Sequence, residues 1–185
     1  MTEMEKGMMK TLVSEEELRD RIRELGRQVS EDYRGKDLLL VTVLKGAVVF
    51  LADFMRALDC HCEIDFMVAS SFYGSAQSNG VLKLVKDLDV PIEGRDVLIV
   101  EDILDSGLTL KFVKERLLSM GPASLKICTL LDKPERRKAG ITLQADYVGF
   151  TVPNEFVVGY GLDYNEHYRN LPYVGILKPE AYQNK

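Results

Sequence analysis

The sequence predicts an α/β fold, in which helices flank both faces of a central, mostly parallel sheet. Two observations predict it: short apolar runs rich in β-branched residues alternate with helical patterns along the chain, and no linker or repeat divides it. A length of 185 residues suits a single domain with a buried core. The net charge of −5 weighs against a general nucleic-acid-binding protein, which needs a basic face.

The first elements are predicted from local signals. Ser14 and Glu17 have the spacing of a capping box, followed by an amphipathic helix that ends near Gly35. Residues 38–44 form an apolar strand, and residues 47–58 a helix that is apolar nearly all round and is therefore expected to be buried.

The later elements continue the alternation. We expect strands at 63–69, 81–85, 97–100 and 124–131, and a helix at 110–120. A polar segment, residues 70–80, separates the first and second of these strands and is either a hairpin loop or a mobile lid.

Chemically active side chains follow three of the predicted strands. Glu101, Asp102 and Asp105 follow one strand, Lys45-Gly46 another, and Asp132-Lys133 a third. Ligands of parallel sheets bind beyond the carboxyl ends of the strands, so we expect a single crevice there.

The turn at residues 105–109 has the features of an anion-binding site. Gly107 permits a tight turn, Ser106 and Thr109 add hydroxyl groups, and the following helix presents free amides. The same residues are also common at ordinary helix N-termini. The preceding Glu-Asp pair favours the phosphate-binding interpretation.

These residues resemble a known family. Residues 97–109 are similar to the phosphoribosyl-pyrophosphate (PRPP) signature of type I phosphoribosyltransferases. Residues 44–47, 70–74, 146–150 and 156–163 narrow the resemblance to the hypoxanthine(-guanine) phosphoribosyltransferases of bacterial type. The match runs from about 12 to 182. It implies one domain with a core at about 36–135, a hood from 1–20 and 140–185, and a lid at 70–80.

The resemblance also implies roles for residues that would hold PRPP. Glu101 and Asp102 would face the ribose hydroxyls, and Asp105 would be the general base or acid near the purine N7. The 5′-phosphate would be held by Ser106, Gly107, Leu108 and Thr109, and Asp105 is counted among the residues that bind PRPP. Pyrophosphate would be held by Lys45, Gly46 and Arg169, with the Leu44–Lys45 peptide bond cis.

A second group of roles concerns the purine and the lid. Phe156 would stack on the base, and the backbone of Val157 and Asp163 would bind its edge. Gln144 would take the place of a lysine that, in many members, donates to the purine 6-oxo group. The lid would contain Ser71, Phe72, Tyr73 and Gly74, and either Phe72 or Tyr73 would cover the site.

The implied cofactor is Mg²⁺, with Asp163, Glu101 and Asp102 as candidate ligands. The implied partners are small molecules, PRPP and hypoxanthine or guanine, with no nucleic acid or membrane, and a homodimer or homotetramer as the assembly. Three cysteines, an odd number, and a polar N-terminus favour a cytoplasmic protein. We expect the tract 133–138 to be a solvated turn, whose Lys133 could assist the phosphates.

Two alternatives stay open at this stage. One is an RNA-binding regulator built on the same fold, which would need a basic face. The other is a transferase that prefers another 6-oxopurine such as xanthine, which only a substrate test separates.

Overall fold

The structure, a computed structural model, describes residues 7–72 and 81–183. Its strands in this part of the chain are β1 (Met8–Val13), β2 (Leu38–Val43), β3 (Cys62–Phe72), β4 (Val81–Lys86), β5 (Asp96–Leu104), β6 (Ser124–Asp132), β7 (Tyr147–Thr151), β8 (Val157–Val158) and β9 (Val174–Leu177). Its α-helices there are α1 (Glu15–Asp32), α2 (Val48–Ala57), α3 (Leu108–Leu118) and α4 (Pro179–Gln183).

The central sheet confirms the predicted α/β class. Its strands lie in the order β4-β3-β2-β5-β6-β7. In this order, each pair of neighbouring strands from β3 through β2, β5 and β6 to β7 is parallel. Strand β4 pairs antiparallel with β3. Because β5 lies between β2 and β6, the three strand ends that carry the polar side chains are neighbours at one edge of the sheet.

The buried strands of the sheet carry apolar residues on both faces. Leu38 and Leu40 of β2 pack into one core cluster, while Leu39 and Val41 pack into another on the opposite face. This alternation explains why β2 is apolar throughout, as expected for a parallel strand covered on both sides.

Helix α1 begins as its sequence predicts. The Ser14 hydroxyl accepts from the Glu17 N–H at 3.3 Å, and the Glu17 carboxylate accepts from the Ser14 N–H at 2.8 Å. The helix ends at Asp32, before Gly35. Helix α2, in contrast, is not buried all round: Phe50 and Phe54 are buried, but one face, with Val48 and Met55, is exposed. That prediction was wrong because α1 and the sheet cover only one side of α2.

Strand β5 is longer than its apolar run. The sequence predicts residues 97–100, whereas the strand extends to Leu104. Backbone pairing with β6 continues past the acids, with Glu101 opposite Thr129 and Leu104 opposite Asp132. The two acids therefore lie within a buried strand and not beyond it.

A smaller sheet in the order β1-β9-β8 joins the two ends of the chain. It contains residues from both segments expected to form the hood. Strand β7 also falls in the expected hood range but pairs with β6 in the central sheet. Among the described residues, no helix has the length and apolar character needed to cross a membrane.

Candidate active site

Two buried acids on β5 form the centre of the site. Glu101 is 7% exposed and its carboxylate accepts from the Val43 N–H at 3.0 Å. Burial, with the neighbouring Asp102 charge, raises the pKa of Glu101 well above its ordinary value. Asp102 is 9% exposed, and burial raises its pKa to about 6 even though backbone N–H groups donate to it. Burial therefore disfavours the charged form of both acids.

The loop after β5 turns tightly into α3. Gly107 precedes the helix with a φ of 81°, a conformation that favours glycine, and its backbone packs against Ile141. Arg137 donates to the carbonyl oxygens of Leu104 and Asp105, both at 2.6 Å. At the start of α3 the Leu108 N–H donates to the Ser106 hydroxyl at 3.4 Å, and the anion-binding role of this turn stays a prediction.

Asp105 stands at the entrance of this loop. Its carboxylate forms an ion pair with Arg136, with 3.2 Å between Oδ1 and Nε. Arg136 belongs to a 3-10 turn at Pro134–Arg136 that follows β6. The turn after β6 therefore positions Asp105, which follows the neighbouring strand β5.

A second group of loops meets at Gly46. The Leu44–Lys45 peptide bond is cis, as the resemblance implies, and a Cβ at Gly46 would overlap the Asp102 carboxylate. A Cβ at Gly161 would in turn overlap the Gly46 carbonyl oxygen. Three chain segments therefore meet closely at Gly46, and neither Gly46 nor Gly161 leaves room for a side chain.

Arg169 links these loops by its guanidinium group. It donates to the Gly161 carbonyl oxygen at 2.8 Å and forms an ion pair with Asp163 at 2.9 Å. Glu166 contacts both Arg169 and the exposed Lys45, each at 3.3 Å. Lys45, Gly46 and Arg169, predicted to bind pyrophosphate, thus lie together beside Asp102.

A depression of about 320 Å³ lies on the other side of Asp105. Phe156 and Val157 line it together with Asp105, and so does Lys133. Lys133 is only 5% exposed, donates to the Glu155 carbonyl oxygen at 2.8 Å, and has a pKa lowered by burial. The expectation of a solvated turn was wrong for this lysine, because residues 154–155 fold over it.

These loops have counterparts in known proteins. The family model described as "Phosphoribosyl transferase domain" matches residues 9–165. The chain belongs to this family. It is 54% identical over 179 residues to a hypoxanthine-guanine phosphoribosyltransferase of Lactococcus lactis, covering 97% of this chain and 96% of that protein.

Staphylococcus aureus provides a second relative and a solved structure. A hypoxanthine-guanine phosphoribosyltransferase of that organism is 51% identical over 181 residues, covering 98% of this chain and 100% of that protein. The crystal structure of a hypoxanthine phosphoribosyltransferase from S. aureus superimposes with a TM-score of 0.92 at 51% identity, covering 99% of this chain and 98% of that one. The type I phosphoribosyltransferase fold is therefore established for this chain.

Not every residue predicted for the site is brought together. Gln144 lines a separate depression with Arg137, Leu143 and Val148, and is not among the residues that line the depression of Phe156. The lysine near Phe156 is instead Lys133. The role of Gln144 stays a prediction, and Lys133, directly after a buried strand, is a second candidate donor.

Most of the segment predicted to be a lid, residues 70–80, lies outside the described residues. Ser71 and Phe72 belong to the end of β3, so the segment predicted as a loop begins as a strand. Tyr73, Gly74 and the rest of the segment up to residue 80 lie outside the described residues.

The acids fit a magnesium ion only in part. In the described part of the chain, no group of three or more histidine, cysteine, aspartate or glutamate side chains is arranged to hold a metal by itself. Asp102 and Asp163 are nevertheless close enough that the charge of Asp163 raises the pKa of Asp102. Two carboxylates with a substrate phosphate suit Mg²⁺, which takes few protein ligands. Glu101 fits less well because its carboxylate already accepts from the Val43 N–H and its raised pKa disfavours the charged form that a metal needs.

Proposed function

We propose that this chain catalyses purine salvage, the transfer of the 5-phosphoribosyl group from PRPP to N9 of hypoxanthine, and also of guanine. The products would be the nucleoside monophosphate and pyrophosphate. The observation that carries the proposal is that Asp105, the open ring of Phe156 and the buried ammonium of Lys133 line one depression. A flat base with an oxo group matches all three, and the names of the relatives agree.

The PRPP side of the reaction follows from the neighbouring loops. Residues 106–109 would bind the 5′-phosphate through backbone amides and hydroxyl groups at the start of α3. Lys45, Gly46 and Arg169 would bind pyrophosphate, for which a guanidinium fork is well suited. The carboxyl groups of Glu101 and Asp102 would bind the ribose hydroxyls.

The purine side requires one proton transfer. Asp105 lies in the depression and would exchange a proton with the purine ring, held in place by Arg136. Lys133 has three N–H donors, of which one goes to Glu155, so it can donate another to the 6-oxo group. The backbone of Val157 borders the same depression and would bind the edge of the base, and Asp163 is proposed to do so from its neighbouring loop.

Mg²⁺ is proposed as the cofactor, held by Asp102 and Asp163. When bound, it would neutralise charge on the departing pyrophosphate.

The first test is an assay of hypoxanthine, guanine, xanthine and adenine in parallel, each with PRPP and Mg²⁺. We expect nucleotide and pyrophosphate from hypoxanthine and guanine. Product from xanthine or adenine alone, or from none of the four, would contradict the proposal. Asp105→Asn should lower kcat by about 10²–10⁴-fold, the usual contribution of a positioned acid or base. Asp37→Asn, at an exposed aspartate paired with Arg95, is the control and should retain activity.

A second test separates Lys133 from Gln144 as the group that binds the 6-oxo group. Lys133→Met keeps the aliphatic stem and removes the donor, so the KM for hypoxanthine should rise about tenfold with the KM for PRPP unchanged. Gln144→Met should leave both constants unchanged. The reverse pattern would return the role to Gln144.

The remaining parts of the proposal concern localisation and oligomeric state. We propose a cytoplasmic enzyme, since Cys60, Cys62 and Cys128 are free thiols. A homodimer or homotetramer is proposed from the resemblance, and the exposed Val48 and Met55 of α2 offer apolar surface for it. Light scattering would determine the assembly. An RNA-binding regulator is not favoured, because the chain has a net charge of −5 and its relatives are named hypoxanthine-guanine phosphoribosyltransferases.

A further inference from the structure

The C-terminal helix places a second aromatic ring against Phe156. The ring of Tyr182 lies 4.8 Å from that of Phe156, centroid to centroid, with only 23° between the two planes. This is a stacked arrangement, which contributes beyond simple burial of area. Tyr182 also lines the depression that contains Asp105 and Lys133.

Backbone hydrogen bonds hold the segment that carries Tyr182. The Leu177 N–H donates to the Phe156 carbonyl oxygen at 2.9 Å, and the Lys178 N–H donates to the Gly7 carbonyl oxygen at 3.0 Å. Helix α4 begins directly afterwards, at Pro179, whose ring fixes φ. The position of Tyr182 is therefore set by the same small sheet that ends near Phe156.

The ring of Phe156 keeps an open surface despite this contact. Tyr182 covers one face, and Tyr164 meets the ring at 89° with 5.7 Å between centroids. Phe156 is nevertheless 36% exposed, which is unusual for a phenylalanine with two aromatic neighbours. The exposed area indicates that a face of the ring is left for a third flat partner.

We propose that Tyr182 is a positioning residue for the purine, which holds the Phe156 ring so that its open face is presented to the base. The base would then complete a stack of Tyr182, Phe156 and purine. This inference rests on the proposed function. Without Tyr182, Phe156 would occupy several rotamers, and the apparent affinity for the base would fall in proportion to the competent fraction.

The test compares Tyr182→Ala with Tyr182→Phe. We expect Tyr182→Ala to raise the KM for hypoxanthine about fivefold, with kcat and the KM for PRPP within twofold of the wild type. Tyr182→Phe keeps the ring and should restore the wild-type KM. A thermal melt of each variant separates this effect from unfolding, since loss of fold would lower kcat as well.

Two outcomes would overturn the proposal. An unchanged KM in Tyr182→Ala would show that the ring does not position Phe156. A lowered KM would show that Tyr182 occupies the place of the base and competes with it.

Equilibrium dialysis with inosine monophosphate gives a reading that does not depend on turnover. If the wild type binds the nucleotide but transfers no phosphoribosyl group, the proposed function fails, while a fivefold weaker binding by Tyr182→Ala still supports the positioning role. Equal binding by the two proteins, or no binding by the wild type, would contradict that role.

Discussion

Buried carboxylates occur in two regions of this molecule, and their pKa values are shifted in opposite directions. Asp65 on β3 is 4% exposed and accepts from the N–H groups of Phe66 and Asp89, both at 2.7 Å, and of Val90 at 3.2 Å. Burial opposes its ionisation, but these hydrogen bonds and the Lys86 ammonium outweigh it, so the pKa of Asp65 lies below its ordinary value.

Glu101 and Asp102 are similarly buried but less well compensated. Each accepts fewer backbone hydrogen bonds than Asp65, and each also feels a neighbouring carboxylate. Their pKa values are raised, which means that the fold loses free energy by holding them there. The difference indicates that Asp65 stabilises the sheet, whereas the acids of β5 are poised for a cationic or hydroxyl-bearing ligand that supplies the missing partners.

The largest expected effect is a loss of unfolding free energy when Asp65 is replaced. Asp65→Ala removes an acceptor shared by three backbone N–H groups and should lower the free energy of unfolding by about 2–4 kcal/mol. Denaturant unfolding measures it, and the folded protein should keep its activity. Asp65→Asn, which preserves one acceptor, should lose less. Equal loss in both variants would mean that packing, and not hydrogen bonding, explains the role of Asp65.

The next effect is at Gly46. In Gly46→Ala the added methyl group must displace the Asp102 carboxylate, so kcat/KM for PRPP should fall about 30-fold, equivalent to about 2 kcal/mol. Gly140→Ala is the control: Gly140, unlike Gly46, has a positive φ, but it has open space around it, so that variant can lose stability without losing activity. Wild-type kinetics in Gly46→Ala would show that Asp102 need not hold its position.

The smallest effect is the pH dependence of stability. Glu101 and Asp102 keep their protons in the folded state at pH values where the unfolded chain has released them. The free energy of unfolding should therefore fall as pH rises from about 4 through about 6 and beyond. Glu101→Gln removes one such group and should raise the free energy of unfolding at pH 7.5, with a flatter pH profile.

The contribution of Asp65 has the opposite sign and serves as the internal control for that profile. Its lowered pKa means that its stabilisation is present at neutral pH and is lost as pH falls through the folded-state value. The difference between wild type and Asp65→Asn should shrink in acid. A Glu101→Gln protein less stable than the wild type at pH 7.5 would contradict the inference that the buried Glu101 carboxyl group destabilises the fold.

Local signals predicted the elements that depend on neighbouring residues. The capping box at Ser14 and Glu17 and the turn at Gly107 are formed as predicted, since their hydrogen bonds or backbone angles involve adjacent positions. Strand β8, with two residues, was not predicted, because so short a strand has no periodicity and exists only by pairing with β9. The end of β5 was also missed, because backbone pairing continues where the apolar pattern stops.

By itself the sequence determined the fold class, the family resemblance and the order of acids, glycines and hydroxyl groups around a PRPP-like ligand. These features depend on composition, period and motif, which are properties of neighbouring positions. Only the tertiary structure decided that Lys133 is buried beside Phe156, that Gln144 lies elsewhere, and that Tyr182 stacks on Phe156. Burial and pairing between distant segments depend on how the two sheets bring them together, and no local pattern records that.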